Sequence, residues 1–186
     1  KPVNWTDVKI HVLNHGLHYA SCVFEGERVY DSKIFKLEEH TERLFHSASR
    51  LGFTIPYNQE SINKACKSIV QIQNVKNGYV RPVVWRGSEM MAISAQKTKI
   101  HVAIATWDWG SYFDPSLKLK GIKLNISKWR RPAPNTIPWD TKASGLYMIC
   151  TLSKHEAEKE GYTDSLMLDY EDNVAEATGA NIFFKN

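Results

Sequence analysis

The 186 residues are 42% hydrophobic and 11% aromatic, which is enough apolar material to bury the core of one large domain or two small ones. Lys and Arg number 24 against 20 Asp and Glu, and the net charge of +4 is spread along the chain without a dense basic run. This pattern argues against nucleic-acid binding. The longest apolar stretches are well short of the roughly 20 residues that cross a membrane, so we expect neither nucleic-acid nor membrane partners.

The chain has three cysteines, Cys22, Cys66 and Cys150, at wide spacing and without a paired C-x-x-C motif. This odd, dispersed set, together with the lack of a signal-like segment, predicts a reducing, cytoplasmic setting. His15 and His18 lie three positions apart, but no third ligand is spaced to complete a metal site with them. We therefore expect no metal.

In the first half of the chain, strand and helix patterns alternate. Leu44, Ala48 and Leu51 recur at helical spacing before Gly52, a residue type that commonly ends helices. Asn58 is placed to cap a second helix. The predicted elements are a strand at 8–13, a hairpin formed by 23–30 and 34–36, helices at 38–51 and 59–73, and strands at 79–86 and 100–107.

The turn-forming residues 107–121 predict a linker with a domain boundary near residue 115. We therefore divide the chain into residues 1–115 and 116–186. The prolines of "WRRPAPNTIPWD" exclude regular structure in that stretch. The elements predicted in the second half are a strand at 122–128, a helix at 142–160, and strands at 165–169, 174–176 and 181–184.

Lys142 lies between this proline-rich stretch and the largely apolar run "ASGLYMI". A lysine amine that loses contact with water also loses part of its preference for the charged form, and it can then attack a carbonyl. The simpler interpretation is a side chain at the start of a helix that extends its amine into solvent. The residue alone leaves both interpretations open.

Three further features also have two interpretations each. Glu176, in "NVAEATGANIFF", is either a solvent-facing strand residue or the partner of a buried cation. Arg43 follows Glu39 by four residues and forms either a helix-surface pair with it or an anchor for a phosphate. The aromatic stretches "HGLHYASCVFEG" and "WDWGSYF" form either core or the walls of a pocket.

Taken together, the motifs "HGLHYASCVFEGERVY", "IFKLEEHTERLFHSA", "YVRPVVWRG", "RRPAPNTIPWDTKASGLYM" and "VAEATGANIFF" resemble, in order, those of bacterial branched-chain amino acid aminotransferases. The resemblance runs from about residue 8 to residue 184. It implies a pyridoxal-phosphate enzyme of fold type IV, with an α/β (mixed α+β) fold in two domains. These would be a small N-terminal α/β sandwich and the first part of a larger, barrel-like α/β domain.

The resemblance also implies roles for single residues. Lys142 would hold pyridoxal 5'-phosphate covalently and carry a proton between the substrate α-carbon and the cofactor. Arg43 would bind the cofactor phosphate, Tyr147 would donate to the ring oxygen, and Glu176 would pair with the protonated ring nitrogen. The residues implied to line the substrate pocket are Tyr19, Phe24, Tyr79, Trp109 and Tyr112, with Arg81 for a substrate carboxylate.

The implied reaction is transamination of L-leucine, L-isoleucine and L-valine with 2-oxoglutarate by a cytoplasmic homodimer or higher oligomer. D-amino-acid transaminases and aminodeoxychorismate lyases share the lysine and the glutamate, although "HYASCVFEG", "YVRP" and "NTIP" favour the branched-chain group. Glu27, in "GER", departs from the "GIR" of better-known members. Relatives continue beyond Asn186, so we also expect a fragment of a longer chain, and a non-catalytic piece or degenerate paralogue is a further alternative.

Overall fold

The computed structural model describes residues 1–111 and 120–185. It divides into two compact units, the first made of Lys1–Gly110 and Thr141–Gly145, the second of Ser111–Asp140 and Leu146–Asn186. The predicted boundary near residue 115 lies outside the described residues. The assignment of 1–115 and 116–186 to a small domain and part of a large one therefore stays a prediction.

The first unit is built on a five-stranded antiparallel sheet. The longest pairing joins the two nine-residue strands, one of which is the central strand. Two shorter strands pair with successive parts of the opposite edge of this central strand. The predicted strands at 79–86 and 100–107 are confirmed. The strands are β1 (Cys22–Phe24), β2 (Glu27–Tyr30), β3 (Lys33–Ile34), β4 (Gly78–Arg86) and β5 (Ile100–Asp108), with β4 in the centre and β2–β3 forming a hairpin.

Pro82 lies in the middle of β4, a position where a residue without an N–H donor normally interrupts a sheet. Its carbonyl accepts a hydrogen bond from Glu25 N at 2.9 Å, at the gap between β1 and β2. Because the N–H and C=O of one strand residue point to the same neighbour, the missing donor faces this gap. The pairing of β4 with β5 therefore continues unbroken from Gly78 to Arg86.

Helices α2 (Leu37–Arg50) and α3 (Gln59–Ile72) pack against each other and against the sheet, and a short α1 (His15–Tyr19) precedes them. Both longer helices were predicted and are confirmed. Gly52 follows α2 with φ of +72°, a conformation that favours glycine. Asn58 caps α3 by accepting a hydrogen bond from Ser61 N at 2.9 Å. None of the described helices has the length and apolar character needed to cross a membrane.

The described residues of the second unit form a three-stranded sheet and one long helix. Strand β6 (Leu124–Arg130) runs parallel to β7 (Asp164–Leu168), and β8 (Val174–Ala177) runs antiparallel to β7. Helix α4 (Met148–Lys159) packs on β6 and β7, since Ser153 on the helix shares a 2.6 Å hydrogen bond with Ser127 on β6. The strands predicted at 122–128, 165–169 and 174–176 are confirmed, with shifts of one or two residues at their ends.

Two predicted strands are wrong. Residues 8–13 alternate in polarity, yet Val8, Ile10 and Val12 are all exposed and the segment has no regular structure. Residues 181–184 are also irregular, and Phe183 and Phe184 are exposed. Alternation marks a segment that is able to form a strand, but a strand also needs a neighbour with which to exchange hydrogen bonds, and neither segment has one in the part of the chain described.

The helix predicted from residue 142 starts later. A 3₁₀ turn at Ser144–Tyr147 precedes α4, and the residues before it are extended. Ala143 forms an isolated antiparallel bridge with Val23 of β1. This pairing with a distant strand prevents a helical conformation at Lys142.

Candidate functional site

The backbone of Lys142 is fixed by hydrogen bonds to two other elements of the first unit. Its N–H donates to Ser47 Oγ on α2 at 3.0 Å, and its carbonyl accepts from Phe24 N on β1 at 3.1 Å. The bridge between Ala143 and Val23 adds a third constraint. The lysine is therefore attached to a strand end and a helix rather than to a free loop.

The Lys142 side chain is partly buried next to an aromatic ring. Its Nζ lies 5.2 Å from the centre of the Phe24 ring. Burial lowers the pKa of the Lys142 amine; the charge of Glu25 opposes this lowering, and the charge of Arg43 reinforces it. A larger neutral fraction makes this amine a better nucleophile toward a carbonyl than an exposed lysine.

Arg43 on α2 pairs with a fully buried carboxylate, Glu25. Its Nε donates to Glu25 Oε1 at 2.6 Å and its Nη2 to Oε2 at 2.7 Å, and His40 Nδ1 lies 2.8 Å from the same Oε2. Burial alone would raise the pKa of Glu25, but the hydrogen bonds from Arg43 and His40 outweigh burial and hold that pKa below its usual value. Glu25 is therefore a paired anion, and the half-exposed Arg43 side chain is oriented by it.

An aromatic cluster lies on the first unit's sheet. The Tyr79 ring is 5.2 Å from Trp107 and 4.8 Å from Trp109, centre to centre. Arg81 Nη2 donates to the Tyr79 hydroxyl at 3.1 Å, and its guanidinium carbon lies 4.4 Å from the centre of the Phe24 ring. Phe24 thus contacts both Arg81 and Lys142, which brings five of the predicted site residues (Phe24, Tyr79, Arg81, Trp109 and Lys142) into one connected group.

Gly26, between β1 and β2, is required by the position of Tyr79. A Cβ atom added at Gly26 would lie 1.8 Å from the Tyr79 hydroxyl oxygen and 2.7 Å from Cζ. The Tyr79 ring is only 7% exposed and is held by two tryptophans, so it has little room to move. The glycine therefore allows the ring to lie against the backbone.

We expect Gly26→Ala to displace Tyr79, break its hydrogen bond with Arg81 and lower the free energy of unfolding by about 1 to 3 kcal/mol. Thermal and urea unfolding of the variant measure this loss. Gly110→Ala is the control, because a Cβ there meets no atom of the described residues within 4 Å and should leave stability unchanged. Adding Tyr79→Phe to Gly26→Ala should recover part of the loss by removing the closest atom; equal stability of Gly26→Ala and the wild type would contradict the proposed clash.

One of the predicted pocket residues, Tyr19, is not part of this group. Tyr19 is 42% exposed, and its ring lies tilted against His15 at 4.6 Å between ring centres. Tyr112 lies outside the described residues. Their roles at a substrate pocket stay predictions.

Tyr147 and Glu176 belong to the second unit. Glu176 on β8 forms an ion pair with Arg131, with Nε to Oε1 at 3.0 Å. Arg131 Nη1 also donates to the carbonyl of Leu146 at 3.3 Å. Glu176 therefore has a cationic neighbour, whereas its contact with a cofactor nitrogen and the contact of Tyr147 with a ring oxygen stay predictions.

Sequence reasoning missed two residues of the site: Trp107 of the aromatic cluster, and Glu25, the partner of Arg43. Trp107 was assigned only to a strand, although "WDW" places it on the same face of that strand as Trp109. Glu25 follows Phe24 directly in "VFEG", and its partner on α2 is 18 positions away. A carboxylate directly after the apolar residues "CVF" was the available signal, because a buried anion requires a cation.

Glu27, the "GER" departure, is fully buried, and neither of its carboxyl oxygens has a hydrogen-bond partner in the part of the chain that the structure describes. By strand alternation its side chain lies on the same face as Glu25, opposite Phe24. Burial, together with the charge of Glu25, raises the pKa of Glu27 to about 8. Burial and the nearby Glu27 also raise the pKa of the Cys66 thiol on α3. The departure therefore changes the core beneath the sheet and not the aromatic cluster.

The residues of the first unit suit an aldehyde that carries a phosphate group. Lys142 supplies a partly buried amine with a lowered pKa, and Arg43 supplies a planar, oriented guanidinium of the kind that binds phosphate oxygens. The buried Nε of Arg81 has no hydrogen-bond partner among the described residues and is available to an acceptor such as a carboxylate. The described residues contain no group of three or more His, Cys, Asp or Glu arranged for a metal ion.

Comparison with known families agrees with this chemistry. The model of the family "Amino-transferase class IV" matches residues 22–186. The chain therefore belongs to the class IV aminotransferase family. The mixed α/β, fold type IV architecture predicted from the sequence is confirmed by solved structures of that fold.

The relatives are branched-chain aminotransferases. A probable branched-chain-amino-acid aminotransferase of Rickettsia conorii is 44% identical over 176 residues, covering 95% of this chain and 59% of that protein. The crystal structure of the Escherichia coli branched-chain amino acid aminotransferase superposes with a TM-score of 0.91 at 35% identity, covering 96% of this chain and 60% of the other. The sequence-based resemblance to this group is thus confirmed.

A further solved relative carries a cofactor derivative. The T.th. branched-chain amino acid aminotransferase with pyridoxamine 5'-phosphate has a TM-score of 0.89 at 35% identity, covering 95% of this chain and 60% of the other. The same enzyme was also solved in complex with N-(5'-phosphopyridoxyl)-L-glutamate, with a TM-score of 0.85. The predicted cofactor class is therefore confirmed for the fold. The chain spans about 60% of the length of these relatives.

Proposed function

We propose that the protein is a branched-chain amino acid aminotransferase that uses pyridoxal 5'-phosphate. It would transfer the amino group of L-leucine, L-isoleucine or L-valine to 2-oxoglutarate, and it would catalyse the reverse reaction. The observation that carries this proposal is the Lys142 amine, partly buried against Phe24 and fixed by backbone bonds to β1 and α2, in a chain of this family.

Lys142 has two tasks in this proposal. Its amine would hold the cofactor aldehyde covalently, and its Nζ would move the proton at the substrate α-carbon. Both tasks need a neutral amine, which the burial of Lys142 favours. Pyridoxal phosphate, when bound, supplies the ring system that accepts the electrons left at the α-carbon.

Other residues orient the cofactor. Arg43 binds its phosphate, with the guanidinium held by Glu25. Tyr147 donates to the ring oxygen, and Glu176 pairs with the ring nitrogen and keeps it protonated. The ion pair with Arg131, with Nε to Oε1 at 3.0 Å, supports the role of Glu176 because it fixes the position of the carboxylate.

The substrate pocket is proposed on the aromatic cluster. Phe24, Tyr79 and Trp109 offer apolar surface that suits branched aliphatic side chains. Arg81 extends the pocket to glutamate and 2-oxoglutarate, because its unpartnered Nε can donate to a side-chain carboxylate. The complex of the T.th. enzyme with a phosphopyridoxyl-glutamate supports glutamate as one of the two amino donors.

The activity is tested by incubating the full-length gene product with leucine and 2-oxoglutarate and measuring L-glutamate and the 2-oxo acid. We expect both products in equal amounts. Formation of D-glutamate, or pyruvate release from aminodeoxychorismate without leucine turnover, would assign the protein to the D-amino-acid or lyase relatives instead. The 186-residue chain is assayed beside the full-length product, because it spans about 60% of its relatives' length; a chain that binds no cofactor alone would be a non-catalytic piece.

We also propose a homodimer or higher oligomer in the cytoplasm. Light scattering during gel filtration tests the assembly, and cell fractionation tests the compartment. A monomer, or recovery outside the cytoplasmic fraction, would contradict the respective proposal.

A further inference from the structure

Glu25 is the only carboxylate to which the described structure assigns a side-on, two-bond pair with an arginine. Both hydrogen bonds with Arg43 are short, at 2.6 and 2.7 Å, and the carboxylate is 0% exposed while the arginine side chain is 51% exposed. An exposed arginine normally samples many rotamers and loses that freedom when it binds an anion. The buried partner removes this freedom in advance.

The anchor of this pair is itself rigid. Glu25 follows β1, and its backbone N–H donates to Pro82 O on the central strand at 2.9 Å. His40, one helical turn before Arg43 on α2, contacts Oε2 at 2.8 Å. A carboxylate can only accept hydrogen bonds, so Nδ1 of His40 carries the proton in this contact. The carboxylate is therefore fixed by the sheet on one side and by α2 on the other.

The Arg43 guanidinium has more donors than this pair uses. A guanidinium has five N–H donors, and the side-on pair uses one on Nε and one on Nη2, while Nη2 also lies 3.5 Å from His40 Nδ1. Because the Arg43 side chain is half exposed, a phosphate can reach the guanidinium, whose planar shape suits phosphate oxygens. The charges of Glu25 and Arg43 largely cancel, so orientation and not excess charge is what this arrangement provides.

We propose that Glu25 is a positioning residue that fixes the Arg43 guanidinium in the orientation that binds a phosphate monoester. This inference rests on the proposed function, because the phosphate is that of the proposed cofactor. It adds a residue that does not touch the cofactor and acts on it only through Arg43. A purely electrostatic view makes the opposite prediction: removing the Glu25 charge would leave Arg43 more cationic and would strengthen anion binding.

The experiment compares pyridoxal 5'-phosphate with pyridoxal, which lacks the phosphate. Dissociation constants for both are measured by tryptophan fluorescence in the full-length wild type and in Glu25→Gln. The dissociation constant for pyridoxal divided by that for pyridoxal 5'-phosphate measures the contribution of the phosphate to binding, and this quotient is the ratio used below. We expect Glu25→Gln to weaken pyridoxal 5'-phosphate binding by at least about 10-fold and to change pyridoxal binding by less than about twofold.

The matched control is Glu27→Gln, two residues away on the same buried face but without contact to Arg43 in the described structure. It should keep the wild-type ratio. In a double-mutant cycle, Arg43→Gln should lower the ratio, and adding Glu25→Gln to it should cause no further loss. A second Glu25 variant, Glu25→Asp, keeps the charge but shortens the side chain, and it should lower the ratio by about threefold or more. It replaces Glu25→Gln as the test if Glu25→Gln does not fold.

An unchanged or increased ratio in Glu25→Gln, or equal weakening of both ligands, overturns the inference. So does an additional loss when Glu25→Gln is added to Arg43→Gln. Failure of the proposed function is recognised separately: borohydride reduction of the wild type with pyridoxal 5'-phosphate would then leave the peptide that contains Lys142 unmodified. A labelled wild-type peptide with an unchanged ratio in Glu25→Gln would reject only the positioning role.

Discussion

Lys142→Ala is expected to abolish covalent attachment of pyridoxal 5'-phosphate and to reduce the rate of transamination by about 100- to 10,000-fold. The lower limit corresponds to the loss of a positioned general base alone. Borohydride reduction followed by mass spectrometry of the peptide "TKASGLY" measures the attachment without depending on activity. The fold should be retained, because the backbone bonds of residue 142 to Ser47 and Phe24 do not involve its side chain.

Two further variants sharpen this prediction. Lys142→Arg keeps a positive charge near Phe24 but provides no nucleophilic amine, so it should be as inactive as the alanine variant. Lys67→Ala, on the exposed surface of α3, should behave as the wild type.

Because the Lys142 pKa is lowered by burial, labelling of Lys142 should reach its maximum rate at a lower pH than labelling of exposed lysines. Attachment of the cofactor to another lysine would refute the assignment.

Glu27 is expected to make the stability of the protein depend on pH. Its pKa is about 8 in the folded state against a usual value near 4.5, so the unfolded chain loses the proton first as pH rises. Between these two values the folded state binds more protons, and the free energy of unfolding therefore falls with increasing pH. The Glu27 contribution to this fall is roughly 3 to 5 kcal/mol by about pH 8.

Glu27→Gln should remove this part of the pH dependence. The amide has nearly the shape of the protonated carboxyl and does not ionise, so the variant should match the wild type near pH 4.5 and exceed its stability at about pH 8. Glu27→Ile, which restores the residue of the "GIR" motif, should stabilise the protein at neutral pH because it buries no polar group. Urea unfolding at a series of pH values measures both effects. Glu60→Gln on the exposed surface of α3 serves as the control, and parallel pH profiles of Glu27→Gln and the wild type would show that Glu27 is not the titrating group.

The parts of the fold that follow local rules were predictable. Helices α2 and α3 have apolar residues at helical spacing and begin or end at Asn58 and Gly52, whose chemistry is specific to those positions. Lys142 was singled out by the motifs around it, which are those of one family; the residue alone left a solvent-exposed amine as the simpler interpretation, and its role at the site stays a prediction. In each case the determining residues lie within a few positions of one another.

The parts that failed depend on residues distant in sequence. Ala143 fits a helix by composition, but its bridge to Val23 makes that stretch extended. Val8 and its alternating neighbours fit a strand, but no strand in the described residues pairs with them. Glu25 was passed over because its significance appears only when α2 brings Arg43 to it. Periodicity gives the faces of an element but not the identity of what covers them.

The attachment of Lys142 to β1 and α2 also has a consequence for biosynthesis. Ser47 and Lys142 are 95 positions apart in the chain, so the sheet and helices that receive the lysine are made well before the ribosome reaches it. Contacts with so large a separation form late, because the intervening loop must close first. With the proposed role of Lys142, covalent capture of the cofactor would become possible only at the end of this ordering.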